Sequence, residues 1–189
     1  MKNIAVFASG SGTNAENIIR YFEDSEIARV KVVLTNNPKA GVIDRCYKLE
    51  VRCLTIKPSD LKDGTVLKRL QELNIDFIAL AGFLLKIPSG ILDEYEDRII
   101  NIHPALLPDY GGEGMYGMRV HEAVVENEDE ETGITIHYLN EEYDEGEVIF
   151  QESVEVDFED TPEDVQYKVQ QLEHKHYPEV IEYLIKDLD

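Results

Sequence analysis

Short apolar runs at residues 4–8, 30–34, 51–56 and 77–81 punctuate the first half of the chain. They are rich in Val and Ile, too short for a helix, and separated by helical stretches, which is the pattern of strands buried on both faces of a parallel sheet. Between them, residues 14–22 place Ile18, Ile19 and Phe22 on one helical face, and residues 65–73 do the same with Val66, Leu67, Leu70 and Leu73. A further strand is expected at 99–102, followed by a Pro- and Gly-rich stretch at 103–117 that is too broken for a simple connection. A short helix at 119–125 then leads into runs at 133–139 and 147–156, whose separation predicts an antiparallel hairpin with a wide tip at 140–146. Thr161 reads as a helix N-cap with Pro162 in the first turn and Val165, Val169 and Leu172 as the buried stripe; Pro178 is expected to kink or interrupt that helix. The fold class is therefore α/β: a single domain over residues 1–189 with a mostly parallel central sheet, a C-terminal antiparallel hairpin and a long final helix.

Length agrees with one domain, since 189 residues can bury one good core. No apolar run reaches the roughly 18 residues of a membrane span, and the N-terminus enters strand and helix directly, so a soluble, cytoplasmic protein without a membrane partner is expected. Cys46 and Cys53 are too few for a disulfide framework and fit no metal-binding pattern, which leaves buried reduced thiols. The 39 acidic against 18 basic residues give a formal charge of -21, which repels a phosphate backbone and argues against nucleic acid as a partner. Any small anion bound here has to be held by backbone N–H groups or a few basic side chains that override this field locally.

Such an anion site is written into the first turn. The strand at 4–8 ends in Ser9-Gly10-Ser11-Gly12-Thr13-Asn14 and a helix starts at once, so N–H groups and a helix N-terminus converge. Gly10, Gly12 and Ala15 also satisfy G-x-G-x-x-A, but the second strand ends in Thr35-Asn36-Asn37-Pro38 where a dinucleotide site needs an acid for the ribose hydroxyls. No lysine follows the glycines as in an ATP loop, and Ser11 lacks the glycine two residues before it that a hydrolase nucleophile elbow needs. A phosphate monoester is the ligand left; a tight turn without any ligand is the alternative.

Asn101 and His103 lie two apart at a strand's end and so share a face. An amide N–H and an imidazolium N–H aimed at one oxygen stabilise the tetrahedral intermediate of acyl transfer, with Asp144 in the hairpin tip to orient or charge the ring. A strand-end turn residue, a packed core histidine and a solvated turn acid would fit the same spacing. The other histidines offer no metal set: His174 and His176 point to different sides of a helix, and His121 and His137 have no acid or cysteine at ligand spacing. His137, two residues after Thr135, reads as a packed strand histidine or as a support to the site.

The segments LAGFLLKIP and NIHPALLP, with SGSGTN before them and YDEGEVI after, resemble the glycinamide ribonucleotide formyltransferase family of folate-dependent enzymes across essentially the whole chain. The resemblance implies a Rossmann-like formyltransferase fold and a place in purine biosynthesis and one-carbon metabolism, with transfer of the formyl group of 10-formyltetrahydrofolate to the amine of glycinamide ribonucleotide, without metal or nucleotide cofactor. It implies a catalytic trio of Asn101, His103 and Asp144, a phosphate site at Gly12, Thr13 and Asn14, and a contact from Glu173 to the ribose or glycinamide end. Folate would lie against Leu84, Leu85, Lys86, Ile87 and Leu139, with the tip at 140–146 over the pterin and a cis peptide at Leu107-Pro108. Two departures stand out: Leu85 replaces an arginine that many relatives carry, and residues 60–64 hold no counterpart of the arginine used for the folate tail. Methionyl-tRNA formyltransferases and formyltetrahydrofolate deformylases share the NIHP core but are expected to carry a further C-terminal or N-terminal domain. A formyltransferase acting on another amine, such as an amino sugar nucleotide, and a nonenzymatic phosphate- or folate-binding module remain the alternatives.

Overall fold

A computed structural model describes residues 1–142 and 144–188; Tyr143, within the expected tip, and Asp189, the last residue of the expected domain, lie outside the described residues. Seven strands form one sheet in the order β3-β2-β1-β4-β5-β6-β7. The parallel part comprises β1 (Lys2–Phe7), β2 (Ala28–Thr35), β3 (Cys53–Thr55), β4 (Phe77–Leu80) and β5 (Ile99–His103), while β6 (Glu131–Tyr138) and β7 (Val148–Glu155) run antiparallel. The mixed sheet expected from the sequence is thus present. Strand order reverses at β1, which has β2 on one side and β4 on the other, and a crevice opens at such a switch point beyond the strands' C-terminal ends.

Alternation within β1 builds both halves of the core. Ile4 and Val6 join Ile18 and Phe22 of the α1 side, with Val165, Val169 and Tyr177, on one face of the sheet. Ala5 and Phe7 join Val66, Leu70 and Ile91 on the other. Successive side chains of a strand point to opposite faces, so a strand covered twice must be apolar at both parities. The helices that cover it are α1 (Thr13–Tyr21), α2 (Val42–Lys48), α3 (Pro58–Lys62), α4 (Thr65–Glu72), α5 (Ser89–Glu94), α6 (Met118–Glu126) and α7 (Pro162–Lys186).

Helix α7 opens as the sequence predicts: the Thr161 hydroxyl accepts from the Asp164 N–H, the Asp164 carboxylate returns to the Thr161 N–H, and Pro162 occupies the first turn. The expected interruption at Pro178 does not occur, and α7 runs unbroken to Lys186. Proline removes the donor that would bond the carbonyl four residues earlier. That carbonyl belongs to His174, and the Asn17 side-chain amide of α1 donates to it at 2.6 Å. A tertiary contact thus replaces the missing helix bond. One turn before Pro178, Glu173 faces the crevice, and Tyr177 sends its hydroxyl to the carbonyls of Leu80 (2.8 Å) and Ile100 (3.3 Å) at the ends of β4 and β5. This fixes α7 against the strand ends that carry the site.

Candidate active site

The crevice is a cleft of about 630 Å³ running from the glycine loop to the hairpin tip. All twelve residues singled out from the sequence line it: Gly12, Thr13 and Asn14 at one end, Glu173 above them, Leu84, Leu85, Lys86, Ile87 and Leu139 along the wall, and Asn101, His103 and Asp144 at the other end. The segment after β5 turns through a cis peptide at Leu107-Pro108. Thr135 braces it, accepting from the Leu107 N–H at 2.9 Å and donating to the Ala105 carbonyl at 2.7 Å.

At the hairpin-tip end the geometry fixes the protonation pattern. His103 Nε2 lies 2.8 Å from the Tyr110 carbonyl, which only accepts, so Nε2 carries the proton. Nδ1 then faces Asp144 Oδ2 at 3.6 Å. Burial pushes the His103 imidazole below its ordinary value, against the opposing pull of Asp144 and Tyr110, so the resting ring is neutral near pH 7. Asp144 is itself raised by burial, but His137, His103 and the Gly112 N–H outweigh this and hold the carboxyl below the usual carboxylate range. The Gly112 N–H donates to Asp144 Oδ2 at 3.0 Å. The loop at 110–117 therefore closes over this end through its backbone, while the Tyr110 hydroxyl is held by Asp129 and by Asn127.

His137 belongs to this network rather than to ordinary strand packing. Its Nδ1 donates to the Tyr138 carbonyl at 2.9 Å, and its Nε2 lies 3.2 Å from Asn101 Nδ2, from which it accepts in the neutral ring, and 3.5 Å from Asp144 Oδ1, to which it donates when the ring is protonated. One amide hydrogen of Asn101 is thereby taken; the other points towards Asp144 Oδ1 at 3.5 Å, the limit of hydrogen bonding, and is the one a ligand oxygen can claim. The Nε2 proton of His103 is engaged by Tyr110, so it is not available to stand beside this amide as the sequence expectation of an imidazolium N–H requires. The ring's second proton would sit on Nδ1. His121 also lines the cleft and was missed as a site residue; it is buried, its Nδ1 has no partner among the described residues, and burial brings it down to about 4. No signal in the sequence separates it from a core histidine of α6.

At the other end Gly12 is the N-cap of α1 at φ 76°, and a Cβ there would lie 2.8 Å from the Val42 Cα. Only glycine fits that turn without displacing α2. Thr13 Oγ1 accepts from Gln170 Nε2 at 3.0 Å, which leaves its hydroxyl proton for a ligand. Asn14 Nδ2 donates to Glu173 at 2.9 Å, and its Oδ1 is buried with no partner among the described residues. Burial raises Glu173 to about 7 despite the Asn14 hydrogen bond. Asn36, at the position where a dinucleotide site has its acid, instead accepts from Ser9 Oγ at 2.6 Å. Among the described residues, no group of three or more His, Cys, Asp or Glu side chains is placed to hold a metal ion, and no helix is long and apolar enough to cross a membrane.

A family model described as formyl transferase matches residues 2–181. The chain is 35% identical to the phosphoribosylglycinamide formyltransferase of Bacillus subtilis over 98% of its own length and 95% of the relative's. It is 38% identical to the chloroplastic phosphoribosylglycinamide formyltransferase of Arabidopsis thaliana, covering 95% of its own length but 64% of that protein. Among solved structures, the phosphoribosylglycinamide formyltransferase of Bacillus halodurans superposes with a TM-score of 0.89 at 36% identity, over all of this chain and 97% of the other.

Proposed function

Because the chain belongs to the formyl transferase family, we propose that it moves the formyl group of 10-formyltetrahydrofolate to the primary amine of 5-phosphoribosylglycinamide, in the cytoplasm and as one domain over residues 1–189. The observation that carries this reading is the single cleft in which a backbone anion site at Gly12, Thr13 and Asn14 faces Asn101, His103 and Asp144 across an apolar wall. The phosphate and glycinamide would be held between the glycine loop and Glu173. The flat pterin suits Leu84, Leu85, Ile87 and Leu139, which offer apolar walls with few polar groups, and Lys86 adds a cation there for an acidic tail.

In the reaction the amine nitrogen attacks the formyl carbon, and the carbonyl electron pair moves to oxygen. The Asn101 amide hydrogen that lies at the limit of reach of Asp144 turns to stabilise that oxyanion, and in the fraction of enzyme whose His103 has taken a second proton, on Nδ1, the ring adds positive charge beside it. Asp144 favours the charged ring. Collapse returns the electron pair, breaks the bond from the formyl carbon to N10 of the folate, and delivers to N10 a proton released by the amine, passed through water near Asp144. No covalent enzyme intermediate is required. An amino sugar nucleotide as acceptor is disfavoured by the names of the relatives that match along nearly their full length. The test is a formyl-transfer assay with 5-phosphoribosylglycinamide beside an amino sugar nucleotide, methionyl-tRNA and water; turnover with any of the last three and none with the first would refute the assignment. A binding module would turn over none of them.

A further inference from the structure

A phosphate ester is a poor guest for this cleft on charge alone. The lining carries one lysine, Lys86, against Glu113, Glu141, Glu142, Asp144 and Glu173 among the described residues, and the whole chain stands at -21. Backbone N–H groups at the start of α1 supply partial charges, not a full counter-charge. The compensating cation lies behind the glycine loop. Arg45 of α2 reaches back so that its Nε donates to the Ser11 carbonyl at 2.7 Å. That carbonyl belongs to the same peptide group as the Gly12 N–H, so a guanidinium on the oxygen draws electron density through the amide and makes the N–H a stronger donor.

The surroundings fix this arrangement. The Val42 N–H donates to the Gly10 carbonyl at 3.2 Å, seating the start of α2 against the loop. The other arm of Arg45 pairs with Glu16, which also takes Arg20 at 2.8 Å. Two guanidiniums against one carboxylate leave one net positive charge directly behind the turn.

We propose that Arg45 is the counter-ion of the substrate phosphate, acting through the Ser11-Gly12 peptide without touching the ligand, and that Glu16 attenuates it. This rests on the phosphate reading of the glycine loop. Arg45 is a positioning residue, so its loss has to show in the phosphate and nowhere else.

The experiment is calorimetric titration of the wild type, Arg45→Met, Arg45→Lys and Glu16→Gln with 5-phosphoribosylglycinamide and with glycinamide riboside, its counterpart lacking the phosphate. In Arg45→Met the ratio of the two affinities should fall about tenfold, the size of one charge-assisted hydrogen bond, with the nucleoside unchanged. Arg45→Lys should fall between Arg45→Met and the wild type. Glu16→Gln should move the ratio the other way, by about threefold, because it removes the charge that opposes Arg45. A purely structural Arg45 would weaken both ligands together, and that result overturns the inference. An unchanged ratio in Arg45→Met, with the wild type still preferring the nucleotide, overturns it as well while leaving the phosphate reading intact. Equal affinity of the wild type for both ligands overturns the phosphate reading and this inference with it.

Discussion

At the hairpin-tip end of the cleft, Asn101, His103, His137 and Asp144 are tied to one another and to the carbonyls of Tyr110 and Tyr138 and the N–H of Gly112. At the glycine-loop end, among the described residues, the hydroxyl proton of Thr13 and the Oδ1 of Asn14 have no such partners and Glu173 is held by the Asn14 amide. The first arrangement is set before any ligand arrives, so little reorganisation is spent at the moment charge develops. The second completes its hydrogen bonds on binding. Damage at the first end should therefore appear in kcat, and damage at the second in KM.

Asp144→Asn should give the largest effect, because it removes the one carboxylate that faces both histidines. A loss of about a thousandfold in kcat/KM is expected, the upper range for deleting one electrostatic element of an oxyanion site. Asp144 raises His103, so its removal lowers the imidazole further and draws the basic limb of the pH profile to lower pH. The measurement is kcat/KM against pH in both forms with the His103 titration followed by NMR. An unchanged histidine pKa beside collapsed activity would assign Asp144 to positioning instead. Asn101→Ala comes next, with kcat down about a hundredfold and KM for both substrates nearly constant. A rise in KM as large as the fall in kcat would erase the contrast between the two ends.

The two ends also titrate in opposite directions. Glu173, raised from 4.5 to about 7, is favoured in its protonated form by the fold, so its contribution to stability is full below 4.5 and is lost as pH rises through 7. His121, lowered from 6.5 to about 4, is favoured in its neutral form, so its contribution is full above 6.5 and is lost as pH falls through 4. Between 4.5 and 6.5 the two slopes oppose each other. Glu173→Gln should leave a melting temperature that climbs more steeply with pH than that of the wild type across this window, and His121→Asn one that climbs less or falls. Each difference should amount to roughly 2 kcal/mol over the window. Thermal unfolding of the three proteins at several pH values checks the signs, and equal slopes would mean that neither group is held as its surroundings indicate.

Elements that state their pattern locally were legible in the sequence. Ile4 to Ala8 and Phe77 to Ala81 carry apolar residues at both parities, and Thr161 with Pro162 spells a helix start within a single turn. The helices α2, α3 and α5, of seven, five and six residues, were not predicted, because so few residues do not display a helical period. Pro178 does not interrupt α7, one of the two outcomes its sequence allows, because the carbonyl it frees is taken by Asn17 of a distant helix. The site divides in the same way. The glycine loop, the Asn101 and His103 pair and Asp144 in the hairpin tip could be singled out from spacing and position, although the same spacing suited packed or solvated residues, whereas His121, Gln170 and the Tyr110 carbonyl gave no signal. Their roles exist only where loop 110–117 and α7 meet the strand ends.

The smallest effect expected is the sharpest probe of the open end. Thr13 accepts from Gln170, so its hydroxyl proton has one direction left, outward into the cleft. Thr13→Val keeps the shape and β-branching of the side chain, removes that donor and strips Gln170 of its acceptor. Gln170 can turn its amide to water in the open cleft, which limits the second cost, so a loss of about 1 kcal/mol in 5-phosphoribosylglycinamide binding is expected. On the proposed reading the folate lies against Leu84 to Ile87 and Leu139, whereas the Thr13 hydroxyl is held by Gln170 of α7. The KM for the nucleotide should therefore rise about fivefold to tenfold with kcat and the KM for 10-formyltetrahydrofolate unchanged. Equal loss for both substrates would show that Thr13 shapes the whole cleft rather than one end of it, and would remove the hydroxyl from the phosphate site.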